Sequence, residues 1–317
     1  MWYNRKLLSA LLVIFALVGV AATAAAGEKV TLLLDWFVNP DHAPIIVAQE
    51  MGYFKEQGLD VEITAPANPN DPPKLVAAGK ADLAVSYQQQ LHLQVDQGLP
   101  LVRIATLVAT PLNSLVVLAD SDIHTIADLK GKTIGYSVGG FETVLLKTML
   151  AGAGLTLADV KLVNVNFSLA PSLLSKKVDA VIGAFRNFEL NQMALEKHPG
   201  RAFFVEEYGV PAYDELIIVA NRKAVGKPKL RKFVTALERG VQYVVNHPDE
   251  SFKLFVKHHK DLDDELNRRA WADTLSRFAL RPGAIDKKRY LDFAAFLKKQ
   301  GLIKKIPPLD GFAVELR

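Results

Sequence analysis

The chain reads as an α/β protein of two lobes joined by a two-strand hinge. From residue 30 to about 112, short apolar runs alternate with amphipathic segments, the pattern of a sheet with crossover helices. A second series of the same kind follows, and two passages between the series, one around residues 109–113 and one near 220, divide the chain. Lobe one is then discontinuous (27–112 plus 221–317), and lobe two is continuous (113–220). Two strand crossings make a hinge of limited opening. No internal repeat or low-complexity tract stands out.

The first residues carry a targeting pattern. Arg5 and Lys6 precede an apolar run (7–20) and a small-residue stretch (21–27), the three parts of a secretory signal peptide. Cleavage is expected after Ala26, with Ala24 second, so the leader spans 1–26. The run falls short of the ~20 residues of a membrane span, although an uncleaved N-terminal anchor is the other reading. The 317 residues include no cysteine, which excludes disulfides and lipid attachment through an N-terminal Cys. About 290 residues would remain, enough for two domains. The bacterial periplasm is the natural compartment. Loss of Arg5 and Lys6 lowers the formal charge from +4 to +2, and basic residues are interleaved with acidic ones, which argues against a nucleic-acid surface.

The elements follow in order. An apolar run from Val30 to Leu34 makes the first strand, and its carboxyl end carries Asp35-Trp36-Phe37-Val38-Asn39-Pro40-Asp41-His42. Strand carboxyl ends are where open α/β sheets bind ligands. Pro44 suits the first turn of the next helix and Gly52 its left-handed end. A strand is expected over 59–64, then a helix behind Asp71-Pro72 that ends at Gly79. A strand over 83–85 delivers Ser86 and Tyr87 to the start of a helix, a second candidate for the ligand crevice. Strands at 101–106 and 114–119 flank the first passage.

Lobe two begins with a short helical turn near Ile126 and a strand ending at Tyr136. Ser137-Val138-Gly139-Gly140 then feeds a helix from Phe141 to about Ala151. Such a loop offers free backbone N–H groups to a polar or anionic atom, but it has neither Walker nor dinucleotide spacing. Strands at 160–165 and 179–182 surround a short helix behind Ser168. The second strand leads into Gly183-Ala184-Phe185-Arg186-Asn187-Phe188-Glu189, the counterpart of the Trp36 loop on the opposite lobe. An edge strand (203–205) follows, and 216–220 returns to lobe one. Beyond Asn221 four helices carry apolar stripes, among them Leu230, Phe233, Leu237 and Val241 at i, i+3, i+7 and i+11. Lys287, Lys288, Arg289, Lys298, Lys299, Lys304 and Lys305 read as a solvated face or as a partner surface.

The candidate ligand residues are Trp36, Asn39, His42, Ser86, Tyr87, Gly139, Phe188 and Glu189. Trp36 keeps company with Asp35, Asn39 and His42, which a core tryptophan seldom does. Asn39 can donate and accept at once, as a heterocycle edge requires. Glu189 either grips an amino group beside a ring N–H with two parallel bonds or simply starts a helix near its positive end. Histidines occur without metal spacing, and no GxSxG elbow is present. Neither catalytic residues, metal nor cofactor are expected.

Three motifs carry a family resemblance: residues 50–62 (Glu50-Met51-Gly52-Tyr53-Phe54-Lys55-Glu56-Gln57-Gly58-Leu59-Asp60-Val61-Glu62), 78–84 and 128–135. Over residues 30–225 the chain resembles the solute-binding proteins of bacterial ABC importers, in the branch that holds nitrate, sulfonate, taurine and thiamine-pyrimidine binders. Asp35-Trp36-x-x-Asn39-Pro40-x-His42, Tyr136 to Glu142 and Asn187-Phe188-Glu189 are similar to the pyrimidine branch, with its formylaminopyrimidine binder and fungal pyrimidine synthases. The resemblance implies a type II periplasmic binding protein fold. It also implies that Trp36 stacks on a pyrimidine, Asn39 touches its edge and Glu189 grips its amino side. The expected function is binding of a thiamine-precursor pyrimidine, formylaminopyrimidine or hydroxymethylpyrimidine, for an inner-membrane ABC permease, by a monomer. Arg186 departs from the aromatic character expected before the glutamate and leaves open a sulfonate, a nitrate-like anion or a flavin-like heterocycle. The fungal enzymes use a Cys-rich motif that this chain lacks. A pyrimidine-processing enzyme with His42 as acid or base, or a sensor module, would be the competing classes.

Overall fold

The computed structural model describes residues 27–316; the signal peptide expected over 1–26 lies outside them. The described chain forms two five-stranded mixed sheets. In the first lobe β1 (Glu28–Leu33), β2 (Leu59–Thr64), β3 (Leu83–Ser86), β4 (Leu101–Val108) and a late strand, β10 (Leu216–Asn221), are ordered β2-β1-β3-β10-β4. In the second, β5 (Asn113–Leu118), β6 (Thr133–Tyr136), β7 (Lys161–Asn164), β8 (Ala180–Phe185) and β9 (Gly200–Phe204) are ordered β7-β6-β8-β5-β9.

The two orders are equivalent. In each sheet four strands run one way, and each admits one antiparallel strand that has just arrived from the other lobe: β10 between β3 and β4, β5 between β8 and β9. Because β10 pairs in the first sheet, residues 216–221 belong to lobe one. The boundary therefore lies before Leu216 rather than at 220.

Crossover helices cover the sheets: α1 (Ala43–Glu50), α2 (Tyr53–Glu56), α3 (Pro72–Ala77) and α4 (Gln88–Asp96) in lobe one, α5 (Phe141–Gly152), α6 (Leu169–Leu174) and α7 (Glu189–Leu195) in lobe two. Gly52 takes the left-handed conformation expected of it, with φ of 74°. Asp71 precedes α3 as expected, but its side chain makes no cap bond. Helix α3 starts on Pro72 and Pro73, which leave few N–H groups to cap.

The tail adds α8 (Pro228–Asn246), α9 (Pro248–Phe255), α10 (Glu265–Thr274) and α11 (Lys287–Lys299). Helix α8 lies on α1 so closely that a Cβ at Gly240 would stand 2.3 Å from the Pro44 carbonyl oxygen. The tail does not stay on lobe one. Helix α10 reaches lobe two, where Asn191 donates to Asp273 at 2.8 Å and Asn187 to the Thr274 hydroxyl at 2.7 Å.

Two adjacent carboxylates tie the passages together. Glu215 in the second accepts from the N–H groups of Leu112 (2.6 Å) and Asn113 (2.8 Å) in the first. Asp214 accepts from Thr106 at 2.7 Å and pairs with Arg289 of α11, which also donates to the Ala109 carbonyl at 2.7 Å. The hinge is thus braced by the tail from outside.

Candidate functional site

The carboxyl ends of β1, β3, β6 and β8 all point at the interlobe cleft, as the topology requires. There they enclose about 450 Å³ of empty space, counting the open mouth. Trp36, Asn39, Asp41, His42 and Tyr87 contribute from lobe one; Ser137, Phe141, Glu142, Gly183, Phe185, Phe188 and Glu189 from lobe two.

The β1 loop is held from within. Asn39 accepts from the Asp41 N–H at 2.8 Å, and His42 Nδ1 accepts from the Asn39 N–H at 3.3 Å, a reciprocal cap of the short turn 40–42. That bond makes Nδ1 the acceptor and leaves the proton on Nε2, which donates to Asp35 Oδ1 at 2.9 Å. The other Asp35 oxygen accepts from the Tyr87 hydroxyl at 2.7 Å. Both ring nitrogens of His42 are therefore occupied, and the ring is completely buried. It lines the cleft without a nitrogen to spare for proton transfer.

Aromatic rings form the walls. Tyr87 stacks on Phe141 with centroids 4.6 Å apart and meets Phe185 edge-on at 6.5 Å. Trp36 leaves lobe one and packs in the apolar cluster of lobe two with Val165, Leu169 and Ala170, edge-on to Phe167 at 4.6 Å. Phe37, 40% exposed at the rim, lies 5.8 Å from Phe188. The lobes are in contact around the cleft.

The remaining polar lining is acidic. Glu189 opens α7 and accepts from the Phe185 N–H at 2.7 Å, so the helix-start role and the cleft position coincide in one side chain. Glu142 accepts from Ser137 N–H at 2.7 Å. Asp41 accepts from Asn187 across the cleft at 2.7 Å. Burial pushes all three carboxyls up, Asp41 to about 6, Glu142 to about 8 and Glu189 to about 7, against the lowering by the adjacent His42 at Asp41 and by hydrogen-bond donors at all three. No Lys or Arg lines the cavity among the described residues.

Several expectations do not hold at the cleft. Ser86 is not in the lining; its hydroxyl donates to Gln90 at 3.3 Å inside lobe one. Gly139 is not in it either, because its N–H donates to Asn70 Oδ1 at 2.8 Å, a contact between lobes. With Ser137 N–H on Glu142 as well, the glycine loop has no row of free donors and is no anion cradle. Arg186 turns away from the cleft: it forms a two-pronged ion pair with Glu206 at 2.7 and 2.9 Å, over the Phe204 ring.

Asp41, Phe141, Glu142, Gly183 and Phe185 line the cleft but received no role from the sequence. A signal for Glu142 existed, an acid set among the buried positions Phe141, Val144 and Leu145 of a helix whose one other charged residue, Lys147, is exposed. Strand β8 runs to Phe185, not 182, so Gly183 is a strand residue, with φ of 104°. A Cβ there would stand 2.5 Å from Glu142 Oε1. Gly183→Ala is expected to displace Glu142, destabilise the fold by at least ~1 kcal/mol and depress ligand binding. Calorimetry and a melting curve check both; unchanged values would mean that Glu142 has room to move.

Comparison with solved structures defines the class. The alkanesulfonate-binding protein SsuA from Xanthomonas axonopodis pv. citri superposes with a TM-score of 0.70 at 16% identity, over 89% of this chain and 96% of its own. At that identity the likeness is one of fold, the two-lobe α/β fold of periplasmic binding proteins. Residues 39–251 match the family described as NMT1/THI5 like, and the chain belongs to that family. A protein of Haemophilus influenzae named for thiamine biosynthesis is 57% identical over 292 residues, 92% of this chain and 93% of that one. The formylaminopyrimidine-binding protein of Halalkalibacterium halodurans is 36% identical over 277 residues, covering 86% of this chain and 84% of that protein.

Proposed function

We propose that the protein is the solute-binding component of an ABC importer, exported to the periplasm by its leader, and that it carries a thiamine-precursor pyrimidine of the formylaminopyrimidine or hydroxymethylpyrimidine type. The observation that carries this reading is the composition of the cleft: aromatic walls, three buried carboxyls outside the Asp35 network, and no basic side chain free to meet an anion. A flat heterocycle rich in N–H donors suits such a box. A sulfonate or nitrate would face Asp41, Glu142 and Glu189 with nothing to balance its charge. The names of the bacterial relatives point the same way.

Trp36 and Asn39 act from lobe one, Phe188 and Glu189 from lobe two, so a ligand stabilises the closed arrangement through contacts made only there. The closed lobes present the surface that a permease reads. Catalysis is not part of this reading, because His42 has both nitrogens committed.

A thermal-shift screen tests it. Aminopyrimidines are expected to raise the melting temperature, while taurine and nitrate leave it unchanged; the reverse pattern would overturn the reading. Glu189→Ala is expected to weaken aminopyrimidine binding by ~1–3 kcal/mol, the cost of losing a charged hydrogen-bond partner. Calorimetry showing the same affinity would remove Glu189 from the site.

A further inference from the structure

We propose that the cleft holds its pyrimidine as a cation, with the ring protonated and its N–H paired to Glu189. This deepens the pyrimidine reading above and rests on it.

The charge inventory of the cleft points to a cation. Asp35 is matched by the His42 Nε2–H and the Tyr87 hydroxyl. The other three acids likewise have only neutral hydrogen-bond donors: Asp41 has Asn187 and Thr274, Glu142 the backbone at Ser137 and Val138, Glu189 the backbone at Phe185 and its own N–H. Behind Glu142 stands Glu215, one more buried acid, whose own donors are the Leu112 and Asn113 N–H groups and the Tyr213 hydroxyl. Arg186, in the segment that leads to Glu189, pairs with Glu206 and also favours the charged form of Glu215, but it does not line the cleft. The cleft is thus a buried surplus of acid, and unbalanced ions in such a place cost several kcal/mol each. When empty, its acids hold their protons to higher pH than exposed carboxyls do; a cationic guest removes the need.

The walls point to the same guest by a separate route. Trp36, Tyr87, Phe141, Phe185 and Phe188 surround the space, and aromatic faces attract cations. A 4-aminopyrimidine is a weak base that protonates on a ring nitrogen, with the charge spread onto the exocyclic amino group. Protonated at N3, the ring nitrogen beside the amino group, it shows two parallel N–H donors, the match of one carboxylate; N1 lies across the ring and cannot share that carboxylate. The proton balance is simple. If neutral pyrimidine enters, the proton held by Glu189 passes to the ring nitrogen and leaves a carboxylate. If Glu189 is already ionised, one proton is taken from solvent.

The experiment is nitrogen NMR on full-length mature protein with ring-¹⁵N 4-amino-5-hydroxymethyl-2-methylpyrimidine, at about pH 8, where the free compound is neutral and acids of ordinary pKa are ionised. One ring nitrogen of the bound ligand is expected at the position that the free compound reaches only in acid. In Glu189→Gln, which keeps the shape, that signal should return to the neutral position and affinity should fall ~10- to 100-fold; in Glu142→Gln it should stay. A bound wild-type signal at the neutral position overturns the proposal while leaving the pyrimidine reading intact. Reversion in Glu142→Gln but not in Glu189→Gln overturns Glu189 as the partner. Failure of a folded protein to bind the compound takes down the pyrimidine reading and this inference together.

Discussion

Raising the pH from 5 to 8 is expected to lower the melting temperature of the ligand-free protein. Asp41, Glu142, Glu189 and Glu215 have carboxyls that burial pushes up to about 6, 8, 7 and 7, from ordinary values of 3.8 for Asp and 4.5 for Glu. Between those limits the unfolded chain has released protons that the folded chain keeps. His92, whose imidazole burial pushes down to about 3, acts the opposite way below about pH 6.5, but against four carboxyls it is outweighed: the unfolded state binds fewer protons, so unfolding free energy falls as pH rises. The contribution is fully present below the unfolded values and is lost as pH climbs through the folded ones. A tenfold change in a group's acidity between the folded and unfolded chain corresponds to ~1.4 kcal/mol, which makes this a large effect even if only part of it is realised. Melting curves across this window check it. A melting temperature that is flat or rises from pH 5 to 8 would mean that these acids are ionised in the folded protein. Glu142→Gln should flatten the slope. A bound pyrimidine should flatten it too, by supplying the charge that the acids lack.

Trp36→Ala is expected to cost ligand affinity ~2 kcal/mol or more, the size of a binding hot spot formed by a packed tryptophan. The residue is only 9% exposed and belongs by sequence to lobe one, yet its neighbours Val165, Leu169 and Ala170 belong to lobe two. Removing it takes away both a cleft wall and a contact that exists only when the lobes meet. Calorimetry gives the affinity, and small-angle scattering should show a more open ligand-free particle. A loss of less than tenfold, with an unchanged particle, would mean that Trp36 is neither wall nor latch. Trp36→Phe should lie between, because Phe keeps the aromatic face but not the reach.

Much of this was legible from local pattern. Leu83–Ser86 and Thr133–Tyr136 are short, mainly uncharged runs and Leu59–Thr64 alternates apolar with charged residues; all three follow closely on Gly or Asp, and strands form there. The stripe through Leu230, Phe233, Leu237 and Val241 shows one buried face of a long helix. The Trp36 loop stood out because polar residues follow an apolar run abruptly. Trp36, Asn39, His42, Tyr87, Phe188 and Glu189 all stand at one cavity. Ser86 and Gly139 do not, because the sequence shows that a donor exists and not where its partner lies. Gln90 and Asn70, the one a helical turn away and the other in the opposite lobe, take those donors. Arg186 misleads for the same reason: Glu206, twenty positions on, decides which way it points.

The sequence by itself determined the alternation of strands and helices, the division into two lobes and the loops at strand ends that could meet a ligand. Those properties follow from periodicity and turn chemistry, which act over a few residues. Tertiary structure decided the matched order of the two sheets, which has no counterpart in a sequence repeat. It decided that α10 crosses to lobe two and that the tail braces the hinge through Arg289. Above all it decided the electrical character of the cleft. Asp35, Asp41, Glu142 and Glu189 come from both lobes, and whether a carboxyl is solvated or buried without a cation depends on packing between segments more than a hundred residues apart.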